Sequence, residues 1–541
     1  MALSTSPRAV PAPPAAGRSR PHVRDRGQRL PLTGVDRVDG GRASVPLWLS
    51  LLLAVASGPI SAAGFPDQGV WPLTLVGVGA FLAALVGRAG WSAAAVGLVG
   101  GLAFYLTHIS WLTVYLGPVP WAALSGLESL FWAAFAVPIA VVLNRGPRLW
   151  TGAVSRHLVL PAAVAALWTA REAVTSTWPY GGFAWGRVAL SQSESPFAPL
   201  VAWVGVSGLS FLLVALVALV LQLARQAGRP VLPRLTAGVA ALAVLLLVPA
   251  WPAPTTGSTT VAAVQGNTNS GLLAEYLPGE NLQKHLDATA PLVGQDVDMV
   301  VWPENGSDLD PSRSAAVARA VDRISSAMDA PLVLGTVTQA GEDTYNSSLL
   351  WLPGQGVGDQ YDKKHPVPFA EYAPDREFWR AFAPDLIDMV PRGYSKGTRD
   401  TVLDVGGVIA GISICFDITD DALVREMTGD GAEIILAQTN NADFGQTEEN
   451  VQQLAIARLR AIEIGRSVVN ISTVGTSAII APDGSTISRL TPYEPGSMVE
   501  SVPLATAVTP ASLVGAGLEL AISGFGIAAL LAVLLFGRRR A

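Results

Sequence analysis

A single cysteine, Cys415, stands among 541 residues, directly after the apolar run VIAGISI (408–414). A free thiol has a pKa of about 8.5, so it is mostly protonated and weakly nucleophilic until a neighbouring base or cation activates it. Two other segments offer such neighbours. The run VDMVVW (297–302) leads into Pro303 and Glu304, and QYDKKHPVPFAEYAP (360–374) carries Lys363 and Lys364, with Glu371 eight residues after Lys363. A carboxylate of this kind can take the thiol proton, and a lysine can stabilise both a thiolate and a tetrahedral oxyanion. Spacing alone does not bring the three together, and Lys363 and Lys364 compete for one role. Each residue also has a plainer reading: an inert buried thiol, a helix-start carboxylate, and a solvated lysine pair with Glu371 as its ion-pair partner.

The elements that must position these residues divide the chain by composition. Half of it is hydrophobic, only 14% is charged, and the mean hydropathy is +0.40, a balance that points to a membrane. One cysteine excludes an intramolecular disulfide and a multi-thiolate metal site. Five scattered histidines without HExxH give no expected zinc, and neither a phosphate-binding glycine loop nor a basic aromatic groove for nucleic acid is present. Residues 1–45, rich in Pro, Arg and Gly, read as a disordered tail. Seven apolar runs of near membrane-spanning length follow, at 46–63, 70–87, 91–113, 120–143, 158–176, 198–222 and 233–250, and an eighth covers 512–536. The first ends in ISAAG, but an n-region of 45 residues is too long for a signal peptide, so an uncleaved helix is expected.

Arginine placement gives the sidedness. The tail carries eight arginines from Arg8 to Arg42, and alternate loops carry Arg88, then Arg145, Arg148 and Arg156, then Arg225, Arg229 and Arg234. The loops near 64–69 and 114–119 carry none, and 177–197 carries Arg187 alone. The positive-inside rule then predicts a cytoplasmic N-terminus, residues 251–511 outside, and Arg538, Arg539 and Arg540 back in the cytoplasm. Within 251–511, β-rich runs begin at 260, 297, 331, 347, 408, 432, 467 and 476, interleaved with helical stretches at 279–293, 311–328 and 449–465. This alternation predicts an α/β domain with central strands buried on both faces.

In that order, WPE (302–304), YDKKHPVPFAEYAP (361–374) and ICFD (414–417) resemble the Glu-Lys-Cys motifs of the nitrilase, or carbon–nitrogen hydrolase, superfamily. The K-x-H-x-V-P-F-x-E form, with seven apolar runs before it and one after, is similar to the apolipoprotein N-acyltransferase family. GLAFYLTHISWL, GGFAWGRVALSQ and VGVSGLSF in the apolar half, VQGN at 264–267 and RLRAIEIGRSVVNISTVGTSAIIAPDG at 458–484 extend the likeness. The resemblance implies a nitrilase αββα sandwich on an eight-helix membrane bundle: transmembrane 46–250, extracytoplasmic catalytic 251–511, and a C-terminal helix with a basic tail in 512–541. Cys415 would be the nucleophile, Glu304 the general base, Lys363 the oxyanion-stabilising cation, and Glu371 a supporting glutamate near the lysine. The implied protein is a multi-pass monomer of the bacterial plasma membrane, without metal or cofactor. It would move an acyl chain from a phospholipid, through a cysteine thioester, to the α-amino group of S-diacylglyceryl-cysteine in an apolipoprotein.

The chain departs from the family pattern in places. Phe416-Asp417 replaces the usual Tyr-Glu, Asp443 replaces a loop tryptophan, and the tryptophan expected soon after VQGN is missing. Arg171 and Glu172, inside the fifth apolar run, are expected to pair with each other or meet a headgroup. REFWRAFAP (376–384) reads either as core or as a lid offering Phe378, Trp379 and Phe382 to lipid, with Arg376 and Arg380 near phosphates. Two rival functions remain: a membrane-anchored amidase or nitrilase in which water resolves the acyl-enzyme, and a scaffold that only binds lipoproteins. A small soluble substrate gives no reason for seven preceding spans, and an intact Glu-Lys-Cys set argues against a scaffold.

Overall fold

Long apolar runs without internal charge can satisfy their backbone in lipid only as helices, and the first half of the chain is helical throughout. The computed structural model describes residues 45–537 apart from 116, 227–229, 271–276 and 391–392, together with residues 1, 2 and 9. The arginines of the N-terminal tail, Arg229, the terminal Arg538, Arg539 and Arg540, and most of the stretch after VQGN lie outside the described residues. Helices α1 (Leu47–Ala62), α2 (Pro72–Ala84), α3 (Trp91–His108), α4 (Pro118–Leu149), α5 (Leu160–Thr175), α6 (Val201–Ala224) and α7 (Val231–Leu246) match the seven runs. Of these, α3 to α6 are long and apolar enough to cross a membrane, α5 together with the turn before it, whereas α1, α2 and α7 are shorter. The arginine-bearing loops gather at one end of the bundle: Arg225 donates to the Leu143 carbonyl at 3.2 Å, and Asn144 to the Arg88 carbonyl at 3.1 Å. Inside the bundle, Arg171 pairs with Glu172 at 3.3 Å, and its guanidinium carbon lies 4.5 Å from the rings of both Trp132 and Trp168. Glu172 also accepts the Val188 amide at 3.1 Å, so this pair braces the loop that follows α5.

The second half folds as two facing six-stranded sheets. The first has the order β12-β1-β2-β3-β4-β5: β1 (Gly257–Gln265), β2 (Met299–Val301) and β3 (Leu332–Ala340) run parallel, with β12 (Gly496–Leu504) antiparallel to β1, β4 (Asp343–Leu352) antiparallel to β3, and β5 (Gly356–Asp362) antiparallel to β4. The second repeats the plan in the order β11-β10-β9-β8-β7-β6. There β7 (Val408–Ile414), β8 (Ile434–Thr439) and β9 (Ser467–Ser472) are parallel, with β6 (Val402–Val405), β10 (Ala478–Ile480) and β11 (Thr486–Arg489) at the sides. Val261, Met299 and Val333 meet Ile412, Leu436 and Ile471 in the dry layer between the sheets. Outside the first sheet lie α8 (Glu280–Thr289) and α9 (Ala315–Met328), where Leu282, Val317 and Val321 cover Val264 and Leu334. Two short helices, α10 (Arg376–Arg380) and α11 (Pro384–Met389), precede β6. Outside the second sheet lie α12 (Asp421–Gly429) and α13 (Glu449–Ile464), completing an αββα sandwich.

The α12–α13 layer is also where the sandwich meets the bundle, and one apolar core runs across it from Val206 and Leu209 of α6 to Val424, Ile456 and Leu459. Two indole N–H groups, from Trp111 and Trp185, donate to Gln452 Oε1 of α13 at 3.1 and 2.7 Å. The last helix, α14 (Pro510–Phe536), leaves the sandwich and packs beside α5 and α6; it too is long and apolar enough to cross a membrane. At this junction Asp421 accepts from Arg187 at 2.9 Å and from Arg460 at 2.5 Å, and both guanidiniums are buried. Burial works to raise the Asp421 carboxyl, but the two arginines overcome it and hold the group well below the usual carboxylate range.

A carboxyl with a depressed folded-state pKa contributes stability above its unfolded pKa, and that stability is lost as the pH falls through the folded value. Removing Asp421 leaves two buried cations short of a partner, a loss of about 3–5 kcal/mol for such sites. Asp421→Ala is therefore expected to unfold several degrees below wild type in detergent at neutral pH. An unchanged melting temperature there would show that the junction does not depend on this carboxylate.

Candidate active site

Strand direction decides what can meet. Because β5 is antiparallel to β4 and β4 to β3, β5 runs the same way as β2 and β3. Its final residue is therefore at the same edge as the end of β2, and Lys363 follows β5 as Glu304 follows β2. Gly335 of β3 makes room for the Glu304 turn, since a Cβ there would collide with the Pro303 carbonyl and Glu304 Cα. Lys363 is pinned by its own amide, which donates to the Asn346 carbonyl at 2.8 Å, and by its carbonyl, which accepts from Gly397 at 2.9 Å.

The structure brings Glu304, Lys363 and Glu371 into one buried cluster. Lys363 Nζ lies 2.8 Å from Glu371 Oε2 and 3.5 Å from Glu304 Oε1, with its side chain 1% exposed. Asn346 joins the two acids, donating from Nδ2 to Glu304 Oε1 at 2.6 Å and to Glu371 Oε1 at 3.1 Å. Glu371 is fixed further by the Val367 amide at 2.7 Å. Lys364 points elsewhere and pairs with Glu426 at 2.6 Å, so of the two lysines it is Lys363 that joins the cluster. Glu304 Oε2 has no hydrogen-bond partner among the described residues although it is buried. That leaves one carboxylate oxygen free for a substrate or thiol proton.

Cys415 follows β7 on a sharp turn with φ of 52°, a left-handed conformation that is unusual for a residue with a side chain. Asp417 holds this turn. It accepts the Ile414 amide at 3.2 Å, the Tyr361 hydroxyl at 2.8 Å and the His365 amide at 3.0 Å, tying the cysteine turn to the lysine loop on both sides of Lys363. Burial raises the Cys415 thiol pKa well above its usual value; the charge of Glu304 raises it further and that of Lys363 opposes the rise. The Glu304 carboxyl is raised by burial, lowered by Lys363 and raised by Glu371, and stays above the ordinary range. Burial works to lower the Lys363 ammonium, but Glu371 and Glu304 keep it well above its usual value, so it stays charged. The resting site thus has a protonated thiol beside a base of raised affinity and a permanent cation.

The surroundings face the bundle. Phe416 lies parallel to Trp185 with centroids 6.3 Å apart, and Phe444 packs on Trp111 and Tyr115. A cleft next to Cys415 is lined by Phe416, His365 and Lys396 from the sandwich and by Ser176 and Tyr180 from the bundle. The aromatic stretch at 376–384 is no core: Phe378 and Phe382 are exposed, Trp379 donates to the Tyr180 hydroxyl at 3.2 Å, and Arg376 and Arg380 both pair with Asp388. Two residues of this region are not singled out by the sequence. Asn346 is one polar residue in a mostly hydrogen-bonding strand, and Glu449 reads as an ordinary acid in the first turn of a helix.

Residues 57–219 match the family model of the apolipoprotein N-acyltransferase N-terminal domain, and residues 260–509 match that of carbon-nitrogen hydrolase. The apolipoprotein N-acyltransferase of Mycolicibacterium smegmatis is 35% identical over 326 residues, which cover 55% of this chain and 54% of that protein; this match spans only about half of that relative's length. The proteins of the same name from Pseudomonas aeruginosa and Azotobacter vinelandii are 27% and 29% identical, each over 86% of this chain and over 92% and 91% of their own lengths.

Because Cys415 is the sole thiol, its ionisation can be read by alkylation across a pH series. The rate is expected to rise only at pH values above those of an ordinary thiol. Glu304→Gln removes a neighbouring negative charge and should move the midpoint down, whereas Lys363→Met should move it up. Opposite shifts would mean that these charges do not act on the sulfur.

Proposed function

The chain belongs to the apolipoprotein N-acyltransferase family of carbon–nitrogen hydrolases, and from this premise we propose that it transfers an acyl chain from a membrane phospholipid to the α-amino group of S-diacylglyceryl-cysteine in apolipoproteins. The observation that carries the reading is the place of the Glu304–Lys363–Glu371 cluster: beside the Cys415 turn, on the side of the sandwich that is joined to an apolar helical bundle. In the first half-reaction Glu304 takes the thiol proton as Sγ attacks the ester carbonyl. Lys363 has three N–H donors, two of them directed at carboxylates, and the third serves the oxyanion. Collapse breaks the ester C–O bond, Glu304 returns the proton to the departing glycerol oxygen, and a lysophospholipid leaves. In the second half-reaction the acceptor amine attacks the thioester, a C–N bond replaces C–S, and the thiol is restored.

Sidedness and domain boundaries follow the same reading. The arginine loops lie at the end of the bundle away from Trp111 and Trp185, which touch the sandwich, and this supports eight crossings with 251–511 outside the plasma membrane. Residues 46–250 then form the transmembrane unit, 251–511 the catalytic unit, and 512–541 the returning helix and tail of a monomer. Phe378 and Phe382 of the α10 segment face outward and suit contact with acyl chains.

Intact mass spectrometry after incubation with phospholipid tests the chemistry. Wild type is expected to gain one acyl mass, removable by neutral hydroxylamine and discharged onto a diacylglyceryl-cysteine peptide. Cys415→Ala should gain none, Glu304→Gln should acylate at least about 100-fold more slowly, at the lower end of what general acid–base catalysis contributes, and Cys415→Ser should turn over little. Release of free fatty acid at one rate with and without the peptide would instead make the protein a hydrolase. A reporter fused near residue 400 that works only in the cytoplasm would reverse the orientation.

A further inference from the structure

The proposed transfer has a proton balance that Glu304 alone does not meet. In the first half-reaction one proton moves from sulfur to Glu304 to the leaving alcohol. The acceptor, by contrast, arrives as an ammonium ion and loses two protons on becoming an amide; one restores the thiol, and the other must leave by another group. Glu449 is a buried carboxylate outside the cluster above whose charge reaches both Cys415 and Glu304.

Glu449 is 2% exposed and opens α13 near the ends of β8, the neighbour of the strand that leads to Cys415, and of β9, the next strand along. Asn441, just past β8, donates to its Oε2 at 2.8 Å; Oε1 takes no hydrogen bond from the described residues. Asn441 is itself fixed by Ser472 Oγ, which donates to its Oδ1 at 2.7 Å, and it also donates to Gln453 at 2.9 Å. One level away, Gln438 Nε2 reaches across the sandwich to the Trp302 carbonyl at 2.6 Å, two residues before Glu304. Facing Glu449 are Glu304, with Lys363 and Glu371 behind it, the Cys415 thiol, and Tyr493, whose hydroxyl is held by Asn450 and Gly445. Among the described residues no arginine or lysine pairs with it. Burial, and then the charge of Glu304, push its carboxyl up to about 8 against the Asn441 bond, so it rests largely protonated at neutral pH.

Resting on the acyltransferase reading, we propose that Glu449 is the seat and first proton acceptor of the acceptor's α-ammonium group, and that it acts in the second half-reaction alone. The ammonium replaces the resident proton of Glu449, which leaves to solvent, and pairs with the resulting carboxylate. As nitrogen attacks the thioester carbon, its first proton passes to Glu449. The second passes to Glu304 and from there to the departing sulfur. The cycle closes with Glu449 protonated, the thiol restored, an amide formed and one proton released, as the overall reaction requires. Water or an alcohol needs no such cation seat, so the same residue favours amines over hydrolysis.

The test separates the half-reactions in the full-length protein. Glu449→Gln keeps an oxygen for Asn441 and is expected to gain the acyl mass from phospholipid and to lose it to hydroxylamine, a neutral nucleophile at pH 7, at rates within about twofold of wild type. Discharge onto the diacylglyceryl-cysteine peptide should fall at least about 100-fold at pH 7, the lower end of what general acid–base catalysis contributes. It should recover toward pH 9, where an α-amino group of pKa about 8 is free without help. Glu449→Asp, which keeps the carboxylate, should retain more transfer than the Gln variant. Peptide discharge by Glu449→Gln at the wild-type rate would overturn the proposal, and so would an equal loss of hydroxylamine discharge, which marks a merely structural residue. Wild type that fails to acylate at all would remove the acyltransferase reading, and this proposal with it.

Discussion

The buried ammonium of Lys363 sets the terms for everything around it. A charged lysine in a dry site is costly unless it is paired and hydrogen-bonded, and this one is met by Glu371 at 2.8 Å and Glu304 at 3.5 Å. The shorter contact makes Glu371 its principal counterion. Glu304, more distant and bearing a free Oε2, keeps enough proton affinity to act as a base. Burial first, and then the excess negative charge that two carboxylates and one cation leave, keep the thiol protonated at rest, to be ionised only as it reacts. Asn346 is the bond that holds the two acids at their separation, and it depends on the β4–β5 hairpin that also delivers Lys363.

That cluster is useful on lipid only if the sandwich is held to the bundle, and α13 does both jobs. One face of the helix covers β9, and Gln452 on the same helix receives both Trp111 and Trp185. Arg460, further along, joins Asp421 and the carbonyls of Ile418 and Thr419, so the segment just after the cysteine is tied to the same helix. A shift of the bundle against the sandwich would therefore be felt at Phe416, one residue from the nucleophile. The apolar core continues through this layer around the buried Arg187–Asp421–Arg460 and Gln452 contacts, consistent with a rigid junction rather than a hinge.

How much of this was legible in the sequence follows from where each element is buried. The eight β-rich runs correspond to β1–β4 and β7–β10, the interior strands of both sheets, whose side chains are covered on two faces and so write an apolar run. The four strands the sequence does not announce, β5, β6, β11 and β12, are the four sheet edges. In β5 the run GVGDQYD alternates little and is mostly solvent-facing, so its pattern resembles a loop. The consequence is that Lys363 was readable as a residue type, but not its position at the end of a strand parallel to β2. Glu304 and Cys415 end interior strands and were readable as both. The eight apolar helices were legible for the same reason as the interior strands, since their outward-facing and buried positions are both apolar. Pairing of Arg171 with Glu172 was foreseeable from burial, but the two tryptophans that enclose the guanidinium come from different helices and were not.

The departures from the family pattern are where physical reasoning adds most. Asp417, in the place of a glutamate, uses both carboxylate oxygens on three donors, including one in the lysine loop, and so it fixes the cysteine turn. Burial raises its carboxyl while Lys363 and His365 pull it down, an environment that tolerates a short acid only because its donors come to it. Phe416, in the place of a tyrosine, has no hydroxyl to satisfy and lies flat against Trp185 at the bundle surface. Asp443 takes a tryptophan's place in a loop whose docking to the bundle is carried by the next residue, Phe444, against Trp111 and Tyr115. Phe416 keeps its ring and Asp417 keeps a carboxylate, so of the three only Asp443 takes aromatic surface from the mouth of the site, and all three leave the Glu304–Lys363 contact and the turn at Cys415 in place.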